Sequence, residues 1–287
     1  MFSQVAGGLE TPNIVSEWAR QKTRHTALSV RICVLGSGSR GNSTLIATEK
    51  TRLLVDAGLS KRETRARLDA AGEPSNSYDA IVVSHEHSDH IRGLQTLALD
   101  MKVPVFLSPA TRDAIAWGRR IKAFELFKPG EKFSVGDIEI TPFTVPHDAA
   151  DPVAFRFASR GIRIGVVTDL GYIPELVKRH VSDCHCLVFE SNHDLEMLKV
   201  GPYPWHVKQR VMSRTGHLSN LATAEFLRED FDGTAQVLVL AHLSENNNHP
   251  EIARMSAEEA LNARARKPDR LKLHLASQTA PTPVFRF

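Results

Sequence analysis

The chain has 287 residues, 42% of them apolar, with a formal net charge of +3. That is enough apolar material for a substantial core, and α/β sandwiches of this length commonly form one domain. The charge is too slight to argue by itself for nucleic acid, no apolar run approaches the ~20 residues of a membrane span, and an odd cysteine count without a secretory signal points to a reducing cytoplasm.

Residues 1–27 mix Gly, Pro and charge and read as an N-terminal extension open to disorder, with one short helix near Val15–Lys22. The domain follows, over residues 28–287. Its first strand, Ser29–Leu35, runs into Gly36-Ser37-Gly38-Ser39-Arg40-Gly41-Asn42-Ser43. Three glycines and three serines let the backbone turn tightly and expose N–H donors, so the loop suits a phosphate; a plain hairpin connection is the alternative. Its position at a strand end favours the ligand loop. Two strands follow, Thr44–Ala47 and Thr51–Val55, and the second ends in Asp56. Ser60 caps a helix that Gly72 ends.

The buried strand Ala80–Val83 delivers Ser84-His85-Glu86-His87-Ser88-Asp89-His90, and a helix follows from Ile91. Ligands gather where strands end and helices begin. His85 and His87 are two apart, so in an extended segment they point to one side and can share a divalent metal. Asp89 and His90 diverge in a regular helix but can splay towards a second metal at a turn entering one. Three imidazoles and a carboxylate suit Zn, Mn or Fe better than Ca or Mg. Simple capping by Ser88 or Asp89 would not explain three histidines in six residues.

Further on, the predicted elements are a strand Pro104–Leu107, a helix near Pro109–Gly118 and a strand Ala123–Phe127, closing a first half at Pro129-Gly130. Strands Lys132–Val135 and Ile138–Val145 open the second half, the latter leading to His147. A hairpin of Val153–Phe157 and Ile162–Val167 leads to Asp169. A helix near Pro174–Val181 precedes Cys184-His185-Cys186. That triplet could be a metal site, but it fits better as the start of a buried strand with small core thiols. The strand ends in Glu190-Ser191-Asn192-His193-Asp194. Helices near Trp205–Ser213 and Asn220–Glu229 flank the turn at Gly216–Asn220. A strand Gln236–Ala241 ends at His242, then come a helix near Glu251–Ala265, a strand Leu271–Leu275 and a proline-bearing tail that reads as an arm.

The His85–His90 pattern, HxHxDH, resembles the signature of the metallo-β-lactamase superfamily, and the resemblance covers about Ser29 to Leu275. It implies an α/β fold, the αββα sandwich of two mixed sheets face to face with helices outside. It also implies two divalent ions, Zn or Mn with Fe possible. His85, His87 and His147 would hold one, Asp89, His90 and His242 the other, and Asp169 would join them, with Asp56 orienting ligands from behind. A hydroxide between two such ions is a strong nucleophile near neutral pH. The blocks GSGSRGNS, HDAADPVAF, TDLG, FESNHDLEMLKVGPYPWHVKQRVMSRTGHLSN and AHLSENNNHPEIA resemble the YycJ (WalJ) branch of the superfamily. That branch implies a phosphodiesterase or nuclease, of the 5′→3′ DNA exonuclease kind.

On this reading Asp89, Asp169 and His217 carry catalysis, with His217 protonating the leaving oxygen; the bland alternative is a surface histidine beside the helix cap Ser219. Ser37, Ser39, Asn42, Ser43 and Ser219 are candidates to cradle a phosphate. Glu190, His193 and Asp194 rank lower. Lys199, Lys208, Arg210 and Arg214 suit either a nucleic-acid backbone or a solvated helix face. The expected partner is nucleic acid, DNA before RNA, with no membrane; the sequence leaves the oligomeric state open. Competing readings are other hydrolases of this fold, acting on RNA, cyclic phosphodiesters, lactones or thioesters, and a non-catalytic metal-binding regulator.

Overall fold

The computed structural model describes residues 29–118, 121, 123–266, 268 and 270–287. The expected extension over residues 1–27, with its helix, lies outside them. Along the chain the strands are β1 (Arg31–Gly36), β2 (Ser43–Ala47), β3 (Arg52–Val55), β4 (Ala80–Val82), β5 (Val105–Leu107), β6 (Phe124–Leu126), β7 (Phe133–Val135), β8 (Ile138–Thr144), β9 (Val153–Ser159), β10 (Ile162–Val167), β11 (Cys186–Glu190), β12 (Val237–Ala241), β13 (Lys272–Leu275) and β14 (Phe285–Arg286). The helices are α1 (Lys61–Ala70), α2 (Ser88–Ile91), α3 (Leu94–Met101), α4 (Pro109–Ala114), α5 (Glu175–Val181), α6 (Leu195–Val200), α7 (Trp205–Val211), α8 (Asn220–Glu229) and α9 (Pro250–Asn262).

The strands form two seven-stranded sheets, ordered β14-β1-β2-β3-β4-β5-β6 and β13-β12-β11-β10-β9-β8-β7. Both are mixed: β1, β2 and β3 pair antiparallel, then β3 through β6 pair parallel. In the second sheet β7 through β10 are antiparallel and β10 through β13 parallel. Alternation along each strand sorts the apolar residues into layers. On β1, Ile32 and Val34 face the space between the sheets with Phe155, Phe157, Val188 and Val239. Cys33 and Leu35 face outward, under Leu68 of α1 and Leu94 and Leu97 of α3. On the far side, Phe189, Leu238 and Leu240 pack beneath Val177 of α5, Phe226 of α8 and Ala253 and Ala257 of α9. Burial on both faces is why β11 and β12 read as unbroken apolar runs. The result is the expected helix–sheet–sheet–helix sandwich. Among the described residues no helix is long and apolar enough to cross a membrane.

Two parts of the sequence reading need amending. The tail does not stand off as an arm. Its end, β14, pairs antiparallel with β1, matching Arg31 to Arg286 and Ile32 to Phe285. The Thr282 hydroxyl takes the Val34 N–H at 3.0 Å, completing the edge ahead of the strand. Prolines fit there because an edge strand has one side free of ladder bonds. The other omission is α6, whose start is capped by the Asp194 carboxylate accepting from the Glu196 and Met197 amides. Asp194 is thus structural, and its Asp-then-Glu signature was visible in the sequence.

Arg31 of β1 is buried and forks onto the Glu73 carboxylate, Nε to Oε1 at 2.9 Å and Nη2 to Oε2 at 3.3 Å. Arg286 of β14 approaches the same carboxylate at 3.7 Å. Removing one partner strands the other charge without water, which typically costs about 3–5 kcal/mol. Glu73→Ala is expected to lower the unfolding free energy by about that amount, read as a lower urea midpoint with an unchanged slope.

The Cys184-His185-Cys186 triplet makes no metal site: both thiols are buried, and the His185 Nδ1 accepts from the Arg163 amide at 3.2 Å. Burial pushes the Cys33 thiol up to about 11 and Cys184 to about 12, and raises Cys186 as well. Thiolate is the reactive form, so these groups are inert in the fold. A chromogenic disulfide reagent at pH 8 is expected to leave the native chain untouched and to titrate all three thiols after guanidinium unfolding.

Candidate active site at the rim of the sandwich

Six strands end at one rim, and each hands over a polar side chain there. β3 delivers Asp56, β4 the His85–His90 segment, β8 His147, β10 Asp169, β11 Glu190 and β12 His242. Three of these residues sit in the left-handed region, with φ of 60° at Asp56, 62° at Asp169 and 57° at His242. Such a conformation costs on the order of 1–3 kcal/mol in a non-glycine residue and persists where the surroundings enforce it. Close backbone packing does part of that. A Cβ on Gly58 would lie 1.6 Å from the Asp89 carbonyl oxygen, and one on Gly93 would lie 1.9 Å from that of Leu59. Glycine at both positions lets the turn after β3 lie directly against α2.

The seven expected ligands come together. The donor atoms of His85, His87 and His147 lie within 4.8 Å of one another, and so do those of Asp89, His90 and His242. Asp169 lies between the two groups: Oδ2 is 3.3 Å from His90 Nε2, and Oδ1 is 3.5 Å from His242 Nε2 and 3.9 Å from His147 Nε2. The inward atoms His85 Nε2, Asp169 Oδ2 and His242 Nε2 are buried and have no hydrogen-bond partner. Unsatisfied buried polar atoms are rare, and several converging on one point are what a divalent cation would satisfy. The donor set of imidazoles and carboxylates therefore fits a transition-metal or zinc centre.

Acceptors behind the rings aim them. Asp56 takes the Ser84 amide at 2.8 Å, the Ser84 hydroxyl at 2.9 Å and His90 Nδ1 at 2.8 Å. His85 Nδ1 lies 2.9 Å from the same hydroxyl. His147 Nδ1 donates to the Gly216 carbonyl at 3.1 Å, and His242 Nδ1 to Glu190 Oε1 at 2.9 Å. Each bond occupies Nδ1, the arrangement that leaves Nε2 as the ligating nitrogen of a metal-binding tautomer. Asp56 lies where the resemblance implies a supporting carboxylate.

Glu190 deserves more weight than its rank in the sequence. It is wholly buried. Oε1 accepts from His217 Nδ1 at 2.8 Å as well as from His242, and Oε2 accepts from the amides of Leu170 at 3.0 Å and Leu218 at 3.2 Å. One carboxylate thus holds the histidine of β12, the histidine of the Gly216–Asn220 turn and the loop carrying Asp169. The available signal was an acid closing the buried run Cys186–Phe189, since unpaired glutamates are almost never fully buried.

Burial raises the Glu190 carboxyl, but His217 and His242 outweigh it and bring it down to about 2. Burial likewise works against charge on Asp89, yet His90 and His242 hold it at about 2. His242 is lowered by burial and raised more strongly by Asp169, Asp89 and Glu190, to about 10. His90 is held well above its ordinary value by Asp169, Asp56 and Asp89 against the same burial. The rim is a negative field that favours positive charge at its centre.

The phosphate-cradle expectation changes. Ser43 is buried and donates to the Asp56 carbonyl at 3.0 Å, so its hydroxyl is turned away from any substrate. Ser37 Oγ accepts the His242 amide at 2.8 Å. Asn42 Oδ1 accepts the Gly38 amide at 2.7 Å, and its Nδ2 lies 3.0 Å from both Asp89 Oδ2 and His90 Nε2. Ser219 Oγ accepts from the Ala222 amide at 3.1 Å and caps α8. These residues brace the site. Ser39 alone of the five is exposed, at the tip of the loop. The loop is also a hairpin connection, since β1 and β2 pair antiparallel with a shift in register between Val34 and Gly36.

His193 is buried behind this wall and its backbone carbonyl takes the Asn220 amide at 2.8 Å. Burial outweighs the opposing pull of Glu190 and lowers its imidazole to about 4, so it stays neutral.

Comparison with known proteins fits this geometry. A model of the β-lactamase superfamily domain matches residues 51–263. The exodeoxyribonuclease YycJ of Bacillus anthracis is 38% identical over 237 residues, spanning 82% of this chain and 90% of its own. The exodeoxyribonuclease WalJ of Streptococcus pneumoniae serotype 2 (strain D39 / NCTC 7466) is 35% identical over 234 residues, spanning 80% and 87%. The solved metallo-β-lactamase fold protein YhfI from Bacillus subtilis superposes with a TM-score of 0.66 at 18% identity, over 90% of this chain and all of that one, a likeness of fold. The chain belongs to the β-lactamase superfamily, with the metallo-β-lactamase fold, and within it to the family of YycJ and WalJ.

Glu190→Gln tests the central anchor. An amide puts an NH2 group against N–H donors that now meet oxygen, leaving at least one buried donor unpaired. The expected loss is about 1–3 kcal/mol in unfolding free energy, measured by urea titration.

Proposed function

We propose that the protein is a metal-dependent phosphodiesterase that removes nucleotides from DNA, working with two divalent ions at the rim. One observation carries the reading: His85 Nε2, Asp169 Oδ2 and His242 Nε2 are buried, unpartnered and directed into a single cluster of imidazoles and carboxylates. The relatives support the choice of bond, since YycJ and WalJ, each matched over four-fifths of this chain, are both named exodeoxyribonucleases.

In this reading His85, His87 and His147 would hold one ion and Asp89, His90 and His242 the other, with Asp169 placed between the two groups. Zn or Mn suits nitrogen and oxygen donors of this kind, with Fe as a further option. Divalent ions bound there supply an activated water as nucleophile and neutralise charge on the attacked phosphate. The chain's own groups do the rest. Asp56, Ser84, the Gly216 carbonyl and Glu190 keep the rings from turning. His217 is anchored through Nδ1 to Glu190, which leaves Nε2 free on the partly open side of the site. There it delivers a proton to the departing sugar oxygen. Three buried free thiols fit work in the reducing cytoplasm.

The test is hydrolysis of an end-labelled DNA duplex with Mn²⁺ or Zn²⁺, alongside Asp89→Ala and with metal content measured on both proteins. Stepwise shortening from the 5′ end is expected for the wild type, with two ions per chain. Asp89→Ala is expected to lose one ion and roughly 100-fold or more in rate, the scale of one lost transition-state contact. Wild-type protein that carries two ions and cuts no DNA, single- or double-stranded, would overturn the assignment.

A further inference from the structure

The four cations near α7 are not alike. Lys208 is buried, and its ammonium donates to the Lys199 carbonyl at 2.7 Å, tying α7 to α6. Lys199 points the other way and pairs with Glu196 at 2.7 Å. Arg210 and Arg214 are exposed and contact the loops that carry His147 and Asp169. The Arg210 side chain is 61% exposed and pairs with Asp148, the residue after His147. Asp148 Oδ1 lies 3.6 Å from His147 Nε2 and 4.0 Å from His87 Nε2, so the guanidinium hangs at the mouth of the cluster. Its charge is also stabilised by Asp89, across that mouth. Four residues further on, in the turn beyond the end of α7, the Arg214 guanidinium lies over the Tyr172 ring, 4.1 Å from its centre. Tyr172 follows Asp169 by three residues and is itself exposed. The backbone at Ser213 and Arg214 abuts Gly171, where a Cβ would fall 2.4 Å from the Arg214 carbonyl carbon.

The Arg210–Asp148 pair is not needed to hold this wall together. An exposed ion pair stabilises by about 0–1 kcal/mol. The wall is already fixed by backbone, with the Asp148 amide donating to the Thr215 carbonyl at 3.1 Å and His147 Nδ1 donating to that of Gly216. What the pair does is keep a guanidinium extended and poised beside the place where a phosphate would be cut. A backbone phosphodiester offers the guanidinium the same pair of acceptor oxygens as Asp148, with the same single negative charge.

We propose that Arg210 and Arg214, with the Tyr172 ring, form the strip that grips the DNA strand leading out of the site. This rests on the nuclease reading above. Arg210 leaves Asp148 for the phosphate next to the scissile one. The Arg214–Tyr172 stack receives the following nucleotide, its cation on the backbone and its aromatic face against the base. Binding through this strip is electrostatic, so it weakens with salt in proportion to the phosphates engaged.

The experiment uses the metal-loaded full chain and a fluorescent single-stranded phosphorothioate 12-mer, followed by anisotropy between about 50 and 200 mM salt. Arg210→Gln and Arg214→Gln are each expected to weaken binding roughly tenfold and to flatten the slope of log K against log salt by about 0.7. Arg210→Lys should recover part of the affinity and all of the slope, and Lys199→Gln should match the wild type. On the cleavable oligonucleotide the loss should fall on KM more than on kcat, with metal content unchanged. If both arginine variants bind within twofold of the wild type with an unaltered slope, the strip is wrong while the nuclease reading stands on the wild type's cleavage. If Arg210→Gln loses metal along with affinity, Arg210 is a structural brace and the proposal is overturned. A metal-loaded wild type that does not bind the 12-mer and cuts no unmodified DNA, single- or double-stranded, removes both readings.

Discussion

Four carboxylates, those of Asp56, Asp89, Asp169 and Glu190, are gathered at one rim with six imidazoles, and most of their atoms are out of water. Buried like charges repel, and each carboxylate would be driven to take up a proton if it stood alone. Asp89, Asp169 and Glu190 stay ionised because each meets an opposing donor, and Asp56 is hydrogen-bonded on both oxygens. Asp56 accepts three hydrogen bonds and Glu190 four, while Asp89 and Asp169 face His90 and His242. The two sheets exist, from the viewpoint of the site, to hold these opposing groups in register. Their strands differ in sequence position by up to two hundred residues, and only the stacking of one sheet on the other makes their ends coincide.

The cost of that coincidence is visible in the backbone. β3, β10 and β12 are each followed within two residues by one with positive φ, and in each case it is an acid or histidine of the site. A strand that simply ran on would carry the side chain past the rim; the left-handed residue turns it back towards the centre. The amide of His242 is fixed by Ser37 and that of Leu170 by Glu190, so the strained turns are locked by hydrogen bonds from neighbouring elements. The Gly36–Ser43 loop serves this purpose, with Ser37 under His242, Asn42 against Asp89 and Ser43 under Asp56. A serine-rich loop expected to hold a ligand directly holds the residues that hold it.

What was legible in the sequence follows from how local each signal is. His85, His87, Asp89 and His90 are four residues within one six-residue segment, so their spacing alone suggests shared ligation. His147, Asp169 and His242 each stand alone after an apolar strand, and only resemblance to a known pattern linked them to the turn. Glu190 was undervalued because its partners, His217, His242 and the Leu170 and Leu218 amides, are contributed by three other segments. The tail was misread for a similar reason: Pro281 and Pro283 forbid an interior strand, and nothing local tells that β1 leaves an edge open for β14. The strands and helices were easier, since burial on both sheet faces writes unbroken apolar runs at β11 and β12 and half-burial writes the spacing of α8.

The same contrast bears on specificity. The ligand cluster sits on strand ends and is fixed by the sandwich, so it defines a reactive centre that many substrates could in principle approach. The segment between β11 and β12 is different. It carries His217 on the Glu190 anchor, the caps of α6 and α8, and α7 with Arg210 on it and Arg214 in the turn beyond its end, and it rests on the β8 and β10 loops through Thr215, Gly216 and Gly171. The cluster and the surface beside it therefore rest on different parts of the fold, the one on strand ends and the other on a helical crossover docked on their loops by hydrogen bonds to its backbone.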